Sequence, residues 1–216
     1  MAGGWIEIVH FPVLLKRVRW NRMTETEKKY SIIYADPPWR YDRKRGSGVA
    51  ENHYPTMSME EIAELPIDRI AHKNSILFLW ATFPQLDIAI EVIRAWNFCY
   101  KTVGFVWLKQ TRVSHQWFFG MGNWTRSNAE ICLLATRGKP KRLSASVHQF
   151  IISPVQSHSQ KPEAAREKIV ELMGDLPRIE LFARKKTDGW DVWGNEVKCD
   201  IDMEKIRGGG VCDGFR

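Results

Sequence analysis

Short, continuous apolar runs recur along the chain and predict buried β-strands. The first, Ser31-Ile32-Ile33-Tyr34-Ala35, is rich in β-branched residues and has the length of a parallel strand that is covered on both faces. Further runs predict strands over residues 75–80, 100–107, 130–136 and 179–183, with a short strand over 147–152. The Trp-, Phe-, Gly- and Arg-rich segment 109–126 has no such pattern and is expected to be a long functional loop.

Apolar residues at helical spacing fill the intervals between these runs. Pro84 is expected to open a helix with one apolar face, formed by Leu86, Ala89, Ile90, Ile93 and Trp96. Pro162 opens a second helix, which ends before Gly174, and Ser58 caps a short helix over 59–64. Strands that alternate with helices predict an α/β fold in which helices cover both faces of one sheet, making three layers.

The predicted elements occupy residues 30–200, which we assign to one domain. Residues 1–29 are interpreted as an N-terminal extension, of which 1–22 could be dispensable because Met23 begins a typical polar start. The alternative is an extra strand or arm, since residues 5–9 alternate weakly in hydrophobicity. Residues 201–216 are polar and glycine-rich and are expected to form a flexible tail.

Composition narrows the classes of function. The net charge of +7 and the pI of about 9.3 suit a nucleic-acid partner. No apolar run is long enough for a membrane span, and His10 and Pro12 interrupt the first apolar patch, so we expect a cytoplasmic protein without a signal peptide. The four cysteines are widely spaced and do not combine with histidines at zinc-ligand spacing, so no metal is expected.

The candidate chemistry lies at Asp36-Pro37-Pro38-Trp39, directly after the first strand. Ligands bind at the carboxyl ends of strands in open α/β sheets. Because proline has no N–H, this segment offers acceptors and few donors, which suits an exocyclic amine with two hydrogens to donate. Trp39 could supply a flat face for the ring that carries this amine. The four residues alone also fit a strand-ending turn in which Asp36 caps backbone groups.

The motif resembles the signature of the DPPW-type adenine-N6 methyltransferases, the family of the eukaryotic messenger-RNA adenosine methyltransferase. Similarity is closer to the shorter phage and prophage DNA adenine methyltransferases. Matching blocks follow in the family order from about residue 30 to 197, at 52–57, 77–82, 124–130, 158–163, 180–184 and 190–196. The resemblance implies a Rossmann-like fold that binds S-adenosylmethionine, with permuted motif order because the catalytic strand precedes the cofactor strand.

The resemblance also implies roles for individual residues. Asp36, Pro37, Pro38 and Trp39 would be catalytic. Cofactor contacts would come from Lys161, Arg184, Lys186, Thr187, Asn195 and Glu196, with Lys161 able to hold the donor's carboxylate and Asn195 and Glu196 its hydroxyls. At 186–187 this chain has Lys-Thr where the eukaryotic enzymes have His-Asn. Substrate contacts would come from Tyr41, Arg43, His53, Tyr54, Arg126 and Glu130.

A paired base cannot reach such a site, so the adenine would be single-stranded or flipped out. The basic residues at 40–45 could follow the phosphates, and Trp117, Phe118 and Trp124 could stack on bases unless they pack in the core. The basic turn 137–142 is a second candidate surface. We expect DNA as substrate; the alternatives are RNA adenine methylation, cytosine-N4 methylation and a non-catalytic nucleic-acid-binding subunit. Oligomeric state and target sequence do not follow from the sequence.

Overall fold

The computed structural model describes residues 28–40, 56–122, 124–156 and 159–208. Within these ranges the strands are β1 (Tyr30–Ala35), β2 (Ala71–Ala81), β3 (Cys99–Gln110), β4 (Glu130–Arg137), β5 (Phe150–Pro154), β6 (Arg178–Leu181) and β7 (Asp191–Trp193). The α-helices are α1 (Met59–Ala63), α2 (Ile67–Ile70), α3 (Leu86–Ala95), α4 (Ala164–Met173) and α5 (Met203–Arg207). A short 3₁₀ turn, Phe83–Gln85, leads into α3.

The strands form one mixed sheet in the order β5-β3-β4-β2-β1-β6-β7. β1 is parallel to β2 and β6, β6 to β7, and β3 to β5, whereas β4 is antiparallel to β2 and β3. The carboxyl ends of six strands therefore lie at the same edge of the sheet as the start of β4. We call this the site edge.

The sheet is buried on both faces. Ile33 and Ala35 of β1 belong to one apolar cluster together with residues of α1, α2 and α3. Ile32 and Tyr34 belong to a second cluster, which includes the apolar stripe of α4. Side chains alternate across a strand, so β1 can be apolar throughout only because both faces are covered. This arrangement confirms the expectation of a Rossmann-like three-layer α/β fold.

Two helix boundaries follow the sequence signals closely. Ser58 and Glu61 form a capping box at α1, in which each side chain accepts the other residue's backbone N–H, at 3.2 and 2.7 Å. Gly174 ends α4 with a φ of 84°, a conformation that favours glycine. Pro84 lies in the 3₁₀ turn, so the α-helix itself begins two residues later than expected.

Other boundaries differ from the sequence expectation. The predicted strand 147–152 is displaced to β5, and the strand predicted over 179–183 ends at Leu181, since Phe182 has a φ of 61°. The pattern did not predict the short elements α2, β7 and α5. Within the segment expected to be a flexible tail, residues 203–207 form α5, and Met203 of this helix is buried in the core. Asp202 caps this helix through two backbone N–H groups.

Residues 1–27 and 209–216, which include most of the predicted extension and the end of the tail, lie outside the described residues. Among the residues that are described, no helix combines the length and apolar character needed to cross a membrane.

Candidate active site

Lys161 lies at the centre of the charged groups on the site edge. Its ammonium is 2.9 Å from Asp36 Oδ2 and 3.2 Å from Glu130 Oε2. Asp36 follows β1, Glu130 begins β4, and Lys161 precedes α4, so three separate elements bring these groups together. The Lys161 ammonium also lies 5.7 Å from the centre of the Trp80 ring, a favourable cation–π distance.

A second lysine extends this cluster along the edge. Lys109 Nζ contacts the other carboxylate oxygen of Glu130, Oε1, at 2.6 Å. It lies 5.1 Å from the centre of the Trp107 ring, and Trp107 packs edge-on against Trp80. Two adjoining indoles therefore support the two ammonium groups.

The electrostatics of the three central groups differ. Burial raises the pKa of Asp36, and the Lys161 ammonium opposes this only in part. Burial would also raise the pKa of Glu130, but Lys161 and Lys109 outweigh it and hold that pKa at about 2. Burial would lower the pKa of Lys161, yet the Asp36 and Glu130 carboxylates outweigh it and raise that pKa. At neutral pH, Lys161 and Glu130 are therefore charged, and Asp36 is the group of the three that most readily changes protonation.

The Asp36–Trp39 turn is fixed by its own hydrogen bonds. The Pro37 carbonyl accepts the Trp39 N–H at 2.9 Å, and the Pro38 carbonyl accepts the Met57 N–H at 2.8 Å. The Trp39 indole donates to the Trp80 carbonyl at 3.1 Å and is only 6% exposed. Trp39 is thus a wall of the site and not a free stacking platform, and the Pro37 carbonyl keeps one lone pair for a further donor.

The described residues form three pockets that adjoin Asp36, and Ser159 lines each of these three. The first is walled by Pro38, Met57, Phe182, Ala183, Arg184, Trp193, Asn195 and Glu196. The second includes Gln160, Lys161, Arg166, Glu180, Phe182, Arg184, Lys185 and Glu196. The third, on the Glu130 side, includes Trp39, Trp80, Ala81, Thr82 and Lys161. Asp36 is therefore accessible from each of these pockets.

Comparison with known proteins identifies the family. The MT-A70 family matches residues 30–196, most of the chain. This chain belongs to the MT-A70 family. The family resemblance seen in the sequence is confirmed, and with it the expectation of a methyltransferase.

Relatives of this MT-A70 protein include enzymes from distant organisms. The type II methyltransferase M.MunI of Mycoplasma sp is 35% identical over 79% of this chain and 78% of its own length. Human N(6)-adenine-specific methyltransferase METTL4 is 28% identical over 79% of this chain. The N6-methyladenosine RNA methyltransferase MTA1 of Pyricularia oryzae is 26% identical over 81%. The chain spans only 38% of METTL4 and 49% of MTA1.

Three of the expected cofactor residues line the first pocket. These are Arg184, Asn195 and Glu196, and Arg184 Nε donates to Glu196 Oε1 at 2.9 Å. Gly194 directly precedes Asn195 and Glu196, and it lies against the Ala183 backbone. A Cβ at Gly194 would be 2.2 Å from the Ala183 carbonyl oxygen. Only glycine permits this close approach, which fixes Asn195 and Glu196 beside the end of β6.

The remaining expected cofactor residues are placed differently. Lys186 and Thr187 line none of the three pockets formed by the described residues. Lys186 pairs with Asp200, and the Thr187 hydroxyl is buried with no hydrogen-bond partner in the described ranges. Lys161 lines the second and third pockets, but its three N–H groups face Asp36, Glu130 and the Ser159 carbonyl. Binding a donor carboxylate would require it to release one of them.

The expected substrate residues are also divided. Glu130 is in the site, whereas the Arg126 guanidinium is used inside its own loop, donating to the carbonyls of Gly120 and Phe119 at 2.8 and 3.2 Å. Tyr41, Arg43, His53 and Tyr54 lie outside the described residues. The basic turn 137–142 follows β4, and Arg137 pairs with Ser75 near the start of β2, so this turn lies at the sheet edge opposite the site.

Sequence reasoning missed Trp80 and Lys109 as neighbours of the charged groups at the site edge. Trp80 lies in an apolar run that predicts a buried strand, and it is 1% exposed, but the pattern does not indicate that its ring also contacts the Lys161 ammonium. Lys109 stands two residues after Trp107, so alternation along β3 places both on one face, next to Glu130 in the register of β3 with β4. In the described part of the chain, no cluster of three or more His, Cys, Asp or Glu residues could hold a metal ion.

Proposed function

We propose that this chain transfers a methyl group from S-adenosylmethionine to N6 of an adenine in DNA, on a flipped-out or single-stranded base. Membership of the MT-A70 family and the relative named N(6)-adenine-specific support adenine N6 as the acceptor. The resemblance to phage DNA adenine methyltransferases and the similarity to a type II methyltransferase favour DNA.

The observation that carries this proposal is the position of Asp36. Its carboxylate stands at the carboxyl end of β1, held at 2.9 Å by Lys161 and flanked by the Trp39 wall. A carboxylate and the nearby Pro37 carbonyl are acceptors for the two hydrogens of an aryl amine. Two such acceptors favour a pyramidal nitrogen, whose lone pair is then free to attack.

The proton count gives Asp36 a second role. Attack by the neutral amine leaves a positively charged nitrogen, which loses a proton after the methyl group has been transferred. Asp36 accepts a hydrogen bond from that nitrogen, and burial raises its pKa, so it is better suited than Glu130 to take the proton. Glu130 stays ionised and fixes Lys161 in place.

The residues of the first pocket fit the methyl donor. Phe182 and Trp193 pack edge to face with their ring centres 5.3 Å apart, and together they form an apolar wall against which a purine can pack. Asn195 and Glu196 present an amide and a carboxylate that suit ribose hydroxyls. When bound, S-adenosylmethionine supplies a methyl group made electrophilic by its sulfonium. The chain itself orients the amine, and this orientation provides much of the rate.

The loop 111–129 offers a surface for the nucleic-acid strand. Its sequence contains no acidic residue but has two arginines and a histidine. Trp117 and Trp124 are 50% and 100% exposed, so they are not core residues, and Phe119 is 55% exposed. Exposed aromatic rings in a positively charged segment suit base stacking. The loop connects β3 to β4 at the site edge, beside Glu130.

RNA is the second candidate substrate, because MTA1 is named an RNA methyltransferase. The test is methyl transfer to matched DNA and RNA oligonucleotides, single- and double-stranded, followed by mass analysis of the nucleosides. We expect N6-methyldeoxyadenosine as the main product. Preferential methylation of RNA would support the second candidate, a modified cytosine would move the acceptor to N4, and no product with either polymer would support a non-catalytic subunit.

A further inference from the structure

Two carboxylates compete for one buried cation in this site. Lys161 contacts both Asp36 and Glu130, at 2.9 and 3.2 Å. If Glu130 had no other partner, its full negative charge would draw Lys161 away from Asp36. Lys109 weakens this competition, because its ammonium binds the other carboxylate oxygen of Glu130, Oε1, at 2.6 Å.

Lys109 is held in place, unlike an ordinary surface lysine. The Asn128 side-chain amide accepts a hydrogen bond from the backbone N–H of Lys109 and donates one to the backbone carbonyl of Lys109, both at 2.9 Å. The Asn128 amide also donates to the Phe118 carbonyl, so it connects the loop 111–129 to the end of β3 by hydrogen bonds. The Lys109 side chain is only 16% exposed and lies over Trp107. Asn128 therefore fixes the backbone of Lys109 and Trp107 supports its side chain, so that the ammonium is held beside Glu130.

We propose that Lys109 is a positioning residue for Asp36. Lys109 binds Glu130 Oε1 and offsets part of the negative charge of that carboxylate. The Lys161 ammonium is then held less strongly by Glu130 and can pair more strongly with the Asp36 carboxylate. Asn128 assists by fixing the backbone from which Lys109 extends. The description of Asp36 as catalytic rests on the proposed function. The electrostatic coupling among Asp36, Lys161, Glu130 and Lys109 does not.

The consequence of losing Lys109 can be worked out from the groups that face Asp36. These are Lys161, Glu130 and Glu180, with the buried thiol of Cys132. Glu180 is neutralised by Arg166, through two contacts of 2.6 and 2.7 Å. Without Lys109, Glu130 would stay ionised near neutral pH because Lys161 remains, and it would hold that cation more strongly. Asp36 would then protonate at a higher pH than in the unaltered protein.

The first test measures this coupling without any enzymatic assay. The Asp36 carboxyl carbon is followed by NMR against pH in ¹³C-labelled protein and assigned by its loss in Asp36→Asn. The variants are Lys109→Met, the charge-preserving Lys109→Arg, and the control Lys101→Met, an exposed lysine on the same strand. Thermal melting establishes that each is folded, and Lys109→Gln replaces Lys109→Met if that variant is not.

We expect the Asp36 titration to move to higher pH in Lys109→Met, and to stay near the unaltered position in Lys109→Arg and Lys101→Met. An unchanged titration in a folded Lys109→Met protein would overturn the proposal. The result is decisive even if the chain methylates neither DNA nor RNA, so failure of the proposed function would be recognised separately.

The second test uses methyl transfer. In Lys109→Met, the acidic limb of the kcat/KM profile should move to higher pH, with about a three- to tenfold loss on that limb, the factor that half to one pKa unit produces. Activity should recover at alkaline pH and in Lys109→Arg. A uniform loss at every pH would indicate a merely structural role and would contradict the inference.

Discussion

Glu130→Gln tests the charge cluster through stability. The substitution keeps the size of the side chain but removes the carboxylate that both Lys161 and Lys109 bind. In the folded protein the Glu130 pKa is about 2, against an ordinary value of 4.5. At about 1.4 kcal/mol per pKa unit, this lowering corresponds to about 3 kcal/mol of stability at neutral pH. Little solvent screening is expected, since the side chain is only 19% exposed.

The pH window follows from the sign of this shift. A carboxyl group whose pKa is depressed by folding stabilises the protein above its unfolded pKa, and this contribution disappears as the pH falls through the folded value. For Glu130 the window runs from about 4.5 down to about 2. The difference between the unaltered protein and Glu130→Gln should therefore be full at pH 7 and about half as large at pH 3.

The assay is urea unfolding, followed by circular dichroism at pH 7, 5, 4 and 3. Glu171→Gln, an exposed position on α4, is the matched control and should differ from the unaltered protein by less than about 0.5 kcal/mol. If Glu130→Gln lost less than about 1 kcal/mol at pH 7, or if the loss did not shrink in acid, the description of Glu130 as a doubly paired carboxylate would be wrong.

Two further substitutions probe the architecture around the pockets. Gly194→Ala places a Cβ 2.2 Å from the Ala183 carbonyl oxygen, so the segment must shift; calorimetry should show at least about tenfold weaker binding of S-adenosylmethionine, and unchanged binding would contradict the assigned pocket. Arg166→Met leaves Glu180 buried without its guanidinium partner, which should cost about 3–5 kcal/mol. Urea unfolding measures this loss, and a near-neutral result would mean that Glu180 is solvated or protonated.

The sequence predicted the layers of the fold better than their ends. The apolar runs at β1 and β2 are unambiguous because both faces of the sheet are buried. The short elements α2, β7 and α5 were missed, because three to five residues carry too little periodicity to be recognised. α5 is an example: its helical spacing rests on Met203 and Ile206 alone, within a segment of polar composition.

Site residues could be predicted from the sequence where neighbouring residues alone indicate their role. Asp36 at a strand end was evident from its own surroundings, and the family resemblance added Lys161 and Glu130. Their mutual contact could not be derived, because Lys161 lies more than a hundred residues from Asp36 and only the sheet order brings them together. Lys109 carried no motif of its own, and its role depends on the register of β3 with β4.

The central claim is that the Asp36 carboxylate acts on the amine of an adenine. Its most direct test compares the unaltered protein with Asp36→Asn, which keeps the shape of the side chain but removes the charge. Transfer of a labelled methyl group to a single-stranded DNA oligonucleotide is measured together with calorimetric binding of S-adenosylmethionine. We expect N6-methyldeoxyadenosine from the unaltered protein, at least about 10²-fold less from Asp36→Asn, and similar cofactor binding by both. Comparable turnover by Asp36→Asn would contradict the account.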